Sequence, residues 1–220
     1  TVNPEVSIQS ASVIKAFTMA AVFDKLVYAD GATEPSSDYE SSLKSLLTQM
    51  ITVSDNDAAN ELARRLGGGD FQNGASVLNE FCQEHGYTST HLGREFLASN
   101  PTDDNYTSAS DCCRLLSDIY SGTMVNADAS ADMLALLKAQ TRTGKIPSGI
   151  PSGVDTANKT GELSAGDGLG VVENDIAIVF DKEHPYVLCV LSNNIQNNSS
   201  AQETIKKISA DVYQYMTSRK

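Results

Sequence analysis

Three short groups of residues in this 220-residue chain could carry chemistry: Ser12-Val13-Ile14-Lys15, Ser54-Asp55-Asn56 and Lys159-Thr160-Gly161. A serine hydroxyl is a feeble nucleophile at neutral pH and needs a neighbouring base to take its proton. Lysine serves as that base only when neutral, which requires burial or a second nearby cation to lower its pKa. Ser12 and Lys15 would supply the nucleophile and the amine, and Lys159 the second cation. Ser54 is suited to relay a proton to a leaving nitrogen, and Asn56 to fix a substrate amide. Thr160 offers a hydroxyl to a substrate carboxylate, helped by the charge of Lys159. An oxyanion needs two backbone N–H donors, and those of Ser12 and Glu162 are the candidates. Together these parts describe acyl transfer through a covalent serine intermediate.

Taken singly, each group has a plainer reading. Ser12 would cap a helix, Lys15 would snorkel to the surface, Ser54-Asp55-Asn56 would form a helix N-cap, and Lys159-Thr160-Gly161 would end a strand. With 25 serines and 10 lysines, about one S-x-x-K is expected by accident, and Ser41-Ser42-Leu43-Lys44 is read as that accident. The three groups in this order have odds of roughly one in a thousand at this composition, so the conjunction carries the inference.

The nucleophile and its base must share a helix face. Val13, Phe17, Ala20, Ala21 and Leu26 recur at helical spacing, so Ser10 to Tyr28 reads as a buried helix stopped by Asp30-Gly31. Three apart, Ser12 and Lys15 fall on one side of it. Leu43 to Ile51 reads as a second helix, and Ser54-Asp55-Asn56 opens a third that runs through Ala58 to Leu66 and breaks at Gly67-Gly68-Gly69. Further helices are expected at about 72 to 85, 108 to 120 and 128 to 140, the middle one entered through good N-cap residues, Thr107 to Asp111. Between the first two of these, His91 to Tyr106 reads as a long loop of the kind that is often functional. After a Gly/Pro-rich stretch, Gly144 to Gly153, the period becomes extended. Thr156 to Gly161, Val171 to Phe180 and Tyr186 to Leu191 read as strands, the last two joined by a tight turn. A final helix, Ser199 to Met216, should point Ile205, Ile208, Val212 and Tyr215 inward.

At 40% hydrophobic, the chain can bury a sizeable core. A net charge of −12 would repel phosphate backbones, so nucleic acid is not an expected partner. No apolar run reaches about 18 residues, so no membrane span is expected. The chain does not open on a basic segment followed by an apolar one, as expected of a mature or trimmed form. Cys82, Cys112, Cys113 and Cys189 lack C-x-x-C spacing. Cys82, Cys112 and Cys189 lie in apolar segments and are read as small hydrophobes, and adjacent Cys112 and Cys113 are poorly placed to bond each other. The three histidines are scattered. Neither a metal nor a cofactor is expected.

Together, S-x-x-K, S-D-N and K-T-G resemble the serine β-lactamases and penicillin-binding proteins, and most of all the class A β-lactamases. The likeness extends through Ser10 to Lys15, Met50 to Asn60 and the strand Asn174-Asp175-Ile176-Ala177, and it covers nearly the whole chain. It implies an α+β fold in which a helical domain packs on an antiparallel sheet flanked by helices. Residues 12–142 would form the helical domain, and 1–11 with 143–220 the α/β domain, with the site in the cleft between. The resemblance implies a class A β-lactamase-like serine hydrolase with Ser12, Lys15, Ser54 and Lys159 catalytic, and Asn56, Thr160, Gly161 and Glu162 binding substrate. The partner would be a small-molecule β-lactam or a D-Ala-D-Ala peptide, met outside the cytoplasm, whether secreted, periplasmic or in the cell envelope. A D-alanyl-D-alanine peptidase with slow deacylation and a lapsed peptidoglycan-binding module are the alternatives.

The chain departs from that pattern in three places. The family's R-x-E-P-x-L-N loop carries the glutamate that activates the deacylating water. Here Arg94 and Asn100 keep their separation, but Phe96 stands at the glutamate position. Glu95 is one residue early, Asp103 and Asp104 are more remote, and Arg94 is expected to anchor the loop to an acidic partner. Asn174 stands where the family's strand after K-T-G usually has an arginine, so carboxylate binding would lean on Thr160 and Lys159. Ser12 lies close to the first residue, whereas the family places a helix and two strands first, so either a trimmed chain or elements supplied elsewhere are expected; a sheet of only three strands would expose an edge. A short Ser12 to Ser54 spacing would leave the cleft rim open.

Overall fold

The structure, a computed structural model, describes residues 1–98, 103–164 and 170–218. Helix α1 (Lys15–Val22) is buried along its whole length and forms the axis of the helical layer. A 3-10 turn, Ala11–Ile14, leads into it and a π turn, Phe23–Val27, leads out. The helix expected over Ser10 to Tyr28 is therefore one winding with three pitches, tightest where Ser12 sits. Around α1 pack α2 (Lys44–Thr52), α3 (Asn56–Leu66), α4 (Phe71–Glu84), α5 (Ala109–Ser121) and α6 (Ala127–Lys138). Four of these begin where a side-chain oxygen accepts an otherwise unpaired amide: Asp55 from Ala58, Asp70 from Asn73, Ser108 from Asp111, and Asn126 from Ala129.

Strands β3 (Thr156–Leu163), β4 (Val172–Val179) and β5 (Tyr186–Val190) form an antiparallel sheet in that order. Ile176 and Ile178 of β4 meet the helical core, while Ala177 meets Ile146 and Ile205 beneath α7 (Asn198–Thr217). This alternation is what a strand covered on both faces requires. The architecture is therefore α+β, with helices on one face of the sheet and α7 on the other.

Two expectations are corrected. Ile205 of α7 is buried, but Ile208 and Tyr215 are 37% and 57% exposed. The stripe that meets the sheet runs through Gln202, Ile205 and Ser209, because Gln202 donates to Glu173 and the Ser209 hydroxyl to the Ile146 carbonyl. Polar anchors, invisible to an apolar count, set the helix's rotation. Second, the end of the loop expected over His91 to Tyr106 is a strand: β2 (Tyr106–Thr107) pairs with β1 (Ile8–Gln9), and His91 bridges to Tyr106. Among the described residues no helix is long and apolar enough to cross a membrane.

These pairings fix the entry to α1. The Ser10 amide donates to the Asn105 carbonyl at 2.8 Å. Asn174, buried in β4, donates through Nδ2 to the carbonyls of Gln9 (2.9 Å) and Ser10 (3.1 Å), and its Oδ1 accepts the Ser192 amide at 2.8 Å. Asn174 is thus a clamp on the chain before Ser12, too enclosed to meet a ligand. Asn174→Ala removes three hydrogen bonds to the backbone of Gln9, Ser10 and Ser192 and should lower unfolding free energy by about 2–3 kcal/mol, measured by urea denaturation.

Candidate active site

The amines of Lys15 and Lys159 converge on one hydroxyl. Lys159 Nζ donates to Ser54 Oγ at 2.9 Å and to the Thr160 carbonyl at 2.9 Å. Lys15 Nζ lies 3.4 Å from the same Oγ and donates to the Ser54 carbonyl at 2.7 Å and to Asn56 Oδ1 at 2.6 Å. Both lysine side chains are fully buried. Burial pushes the Lys15 pKa down to about 7; Asp55 opposes that, and Arg142 adds to it. Lys159 is held well below its ordinary value, first by burial and then by the charges of Lys15 and Arg142. A neutral amine has two N–H donors and one lone pair. When Lys15 is neutral, its two short bonds to Ser54 and Asn56 would use both donors and leave the lone pair to take a proton.

The backbone is bent to present these groups. Ala11 (φ 46°), Ser54 (φ 63°) and Leu97 (φ 68°) all adopt left-handed conformations and all line the cleft. Such a residue costs about 1–2 kcal/mol when it is not glycine, and this strain gathers at sites where geometry matters more than stability. At Ser54 the strain is held by the Asp55 cap and by the Asp55 amide's bond to the Gln49 carbonyl. Strand β3 approaches the entry to α1 so closely that a Cβ on Gly161 would lie 2.5 Å from the Ser10 carbonyl oxygen and 3.1 Å from the Ser12 nitrogen. Only glycine fits there.

Ser12, Ser54, Asn56, Arg142, Thr160 and Glu162 line a cavity of about 120 Å³. It adjoins a larger one of about 330 Å³, which shares Ser12, Asn56 and Glu162 and reaches Arg94 to Ala98. The eight residues singled out in the sequence are therefore together: five line the smaller cavity, the two lysines stand behind it, and Gly161 supports the turn bearing Ser12. Asn56 Oδ1 accepts from Lys15, which leaves its Nδ2 as the group able to meet a ligand carbonyl. Glu162 accepts from Arg142 (2.8 Å) and Lys145 (3.1 Å). Burial works against its charge, but these cations hold its carboxyl below the ordinary value. Lys145 also pairs with the buried Glu173 at 2.8 Å. Arg142 is a cleft cation that sequence reasoning missed. It lies in the Thr141-Arg142-Thr143-Gly144 connection, where no motif or periodicity marks it.

The loop from His91 forms the far wall. Arg94 Nε donates to Asp104 Oδ1 at 2.7 Å in a buried pair, and Arg94 Nη1 donates to the Ala98 carbonyl. Arg94 thus anchors the loop to an acidic partner, and Gln9 Nε2 ties that same Asp104 to the segment before Ser12. Asn60 of α3 grips the Phe96 backbone, accepting from its amide at 2.9 Å and donating to its carbonyl at 3.2 Å. The Phe96 ring is centred 4.4 Å from Lys15 Nζ, so it shields the amine from water. Glu95 turns away to pair with Arg64 at 2.7 Å, and Asp103 pairs with His91. Asn100, the far end of the Arg94 pattern, lies outside the described residues.

Gly161→Ala should force β3 away from the Ser12 turn, with a loss of about 1–3 kcal/mol in unfolding free energy. Urea denaturation of the variant reads this directly.

Comparisons with known proteins bear on the same architecture. A family model described as "Beta-lactamase enzyme family" matches residues 28–216. Among curated proteins, the chain is 29% identical over 179 residues to Beta-lactamase 3 of Bacillus cereus, covering 79% of this chain and 53% of that protein. It is 28% identical over 186 residues to a beta-lactamase of Citrobacter koseri, covering 82% of this chain and 60% of that one. The chain therefore spans little more than half the length of these relatives. Among solved structures, an ancestral class A beta-lactamase superposes with a TM-score of 0.79 at 23% identity, covering 97% of this chain and 87% of that one. The beta-lactamase of Sphaerobacter thermophilus gives 0.78 at 20% identity, covering 98% and 86%. These superpositions establish the fold that the helical layer, three-stranded sheet and α7 build, and with the match over residues 28–216 the chain belongs to the beta-lactamase enzyme family.

Proposed function

We propose that this protein is a serine hydrolase that opens the β-lactam ring through an acyl-enzyme on Ser12. The observation that carries the reading is the convergence of two buried lysine amines, one with its pKa near 7, on the Ser54 hydroxyl. In the proposed mechanism, neutral Lys15 takes the proton of Ser12 as its oxygen attacks the lactam carbonyl. The backbone amides of Ser12 and Glu162 hold the oxyanion. Ser54 passes a proton to the leaving nitrogen, and Lys159 keeps the Ser54 oxygen oriented by donating to it. Asn56 Nδ2 meets the substrate amide. Thr160 takes the substrate carboxylate, and Arg142 at the same cavity adds the positive charge that Asn174 does not supply. This reading sets the protein's work outside the cytoplasm, on small-molecule β-lactams.

The ring of Phe96 favours a second feature, slow release of the acyl group. It fills the space beside Lys15 where the family resemblance expects a glutamate and its water. Glu95 and Asp104 are engaged in ion pairs, and Asp103 in a hydrogen bond with His91. Ser12 would then be acylated faster than it is freed, as in a penicillin-binding D-Ala-D-Ala peptidase.

Intact-mass spectrometry after penicillin exposure should show one acyl adduct that Ser12→Ala abolishes. Acylation should accelerate as pH rises through about 7, because Lys15 must lose its proton, and should fall about tenfold per pH unit well below that. Labelling that survives Ser12→Ala, or a rate that is flat across neutral pH, would sink the mechanism. Phe96→Glu should shorten the adduct's lifetime by about 100-fold or more if the missing base limits release. It should also slow acylation at neutral pH, since a carboxylate beside Lys15 raises its pKa. An unchanged lifetime would show that Phe96 is not what limits release.

A further inference from the structure

Three cysteines meet where α5 packs on the sheet, away from the cleft. Cys113, Ser117 and Tyr120 lie along one stripe of α5 at helical spacing. They line a cavity of about 390 Å³ whose other wall is Ile178 of β4 with Pro185, Tyr186 and Val187. Along β5, Val187 and Cys189 face the helical core, while Leu188 and Val190 face α7. Cys189 is therefore one pleat beyond Val187 on the face that α5 covers, close enough to Cys113 for each thiol to shift the other's pKa. The neighbouring Cys112 is turned into the core, fully buried, with Thr107 Oγ1 at 3.5 Å.

The two facing thiols differ in a useful way. Both are half-buried, but of the two it is Cys113 that lines the cavity. The hydrogen bond from Cys189 is the leading influence that lowers its pKa. Burial first, and then the same hydrogen bond, pushes Cys189 well up. Cys113 opens on the cavity and ionises more readily than its neighbour.

We propose that Cys113 and Cys189 form a dithiol site for small disulfides, with Cys113 attacking and Cys189 resolving, and that its oxidation bonds α5 to β5. In the first step the Cys113 thiolate attacks one sulfur of the small disulfide, forms a mixed disulfide and expels a thiolate. In the second, Cys189 loses its proton and its sulfur displaces the remaining small thiol, closing the Cys113–Cys189 bond. Two protein thiols are oxidised, one small disulfide is reduced to two thiols, and no other oxidant is needed. Neither cysteine belongs to the cleft, so the site stands or falls independently of Ser12.

The test is incubation of the full chain with glutathione disulfide, followed by intact mass, non-reducing peptide mapping and thermal unfolding. The expected product has lost two hydrogens, carries a Cys113–Cys189 cross-link, and gains roughly 5–10 °C in Tm that a dithiol reductant reverses. Cys189→Ser should stop at a glutathione adduct on Cys113, and Cys113→Ser should give no adduct at position 189. A wild-type chain that ends as a stable glutathione adduct, links Cys112 instead, or does not react overturns the proposal.

Discussion

Burial of two lysine amines against a single serine hydroxyl is the constraint that organises this molecule. An ammonium removed from water without a partner costs several kcal/mol, and two side by side also repel. Lowering the pKa of Lys15 to about 7 relieves this, and hydrogen bonds to the Ser54 carbonyl and Asn56 satisfy what remains. Those bonds exist only because Ser54 adopts a left-handed backbone that turns its carbonyl toward Lys15 while its hydroxyl meets Lys159. The Asp55 cap at the start of α3 then secures a conformation that serine alone would avoid.

The same constraint explains how closely helix and sheet approach. Lys159 reaches Ser54 from β3 because Gly161, two residues on and so on the same face of the strand, lets β3 lie against Ser10 and Ser12. Asn174, opposite Gly161 in the sheet, holds the Ser10 carbonyl down, and Asn105 holds the Ser10 amide. Gln9 and Arg94 meet on Asp104, which couples the loop bearing Phe96 to the turn bearing Ser12. The proposed nucleophile, its proposed base and the loop are therefore positioned by one connected set of polar contacts rather than by apolar packing alone.

Phe96 gives this site its individual character. Its ring contributes to the dry environment that lowers the Lys15 pKa, and it occupies the space that a water-activating carboxylate would need. An apolar cover favours formation of an acyl-enzyme and disfavours its hydrolysis, so the two halves of the proposed reaction depend on different walls of one cleft. Arg142 at the mouth lowers both lysine pKa values and holds Glu162, linking the charge of the entrance to the state of the base.

By itself the sequence determined the order of elements and pointed to the proposed reacting groups, because helical spacing, caps and short motifs are local properties. Ser12 and Lys15 share a helical turn, Asp55 caps α3, and Lys159 lies on a strand wherever the rest of the chain goes. Tertiary structure alone decided which partners those groups keep. Arg142 carried no signal in its neighbours, and its role comes from a cavity built by residues over a hundred positions apart in the chain. Asn174 reads only as the residue standing where a strand arginine is expected until the segment before Ser12 is laid across it. The rotation of α7 followed Gln202 and Ser209 rather than the apolar stripe through Ile208 and Tyr215, since a buried polar group that finds its partner outweighs a modest gain in apolar contact. Periodicity reports which side of an element avoids water, whereas hydrogen-bond partners and pKa values depend on distances between segments that only the folded chain sets.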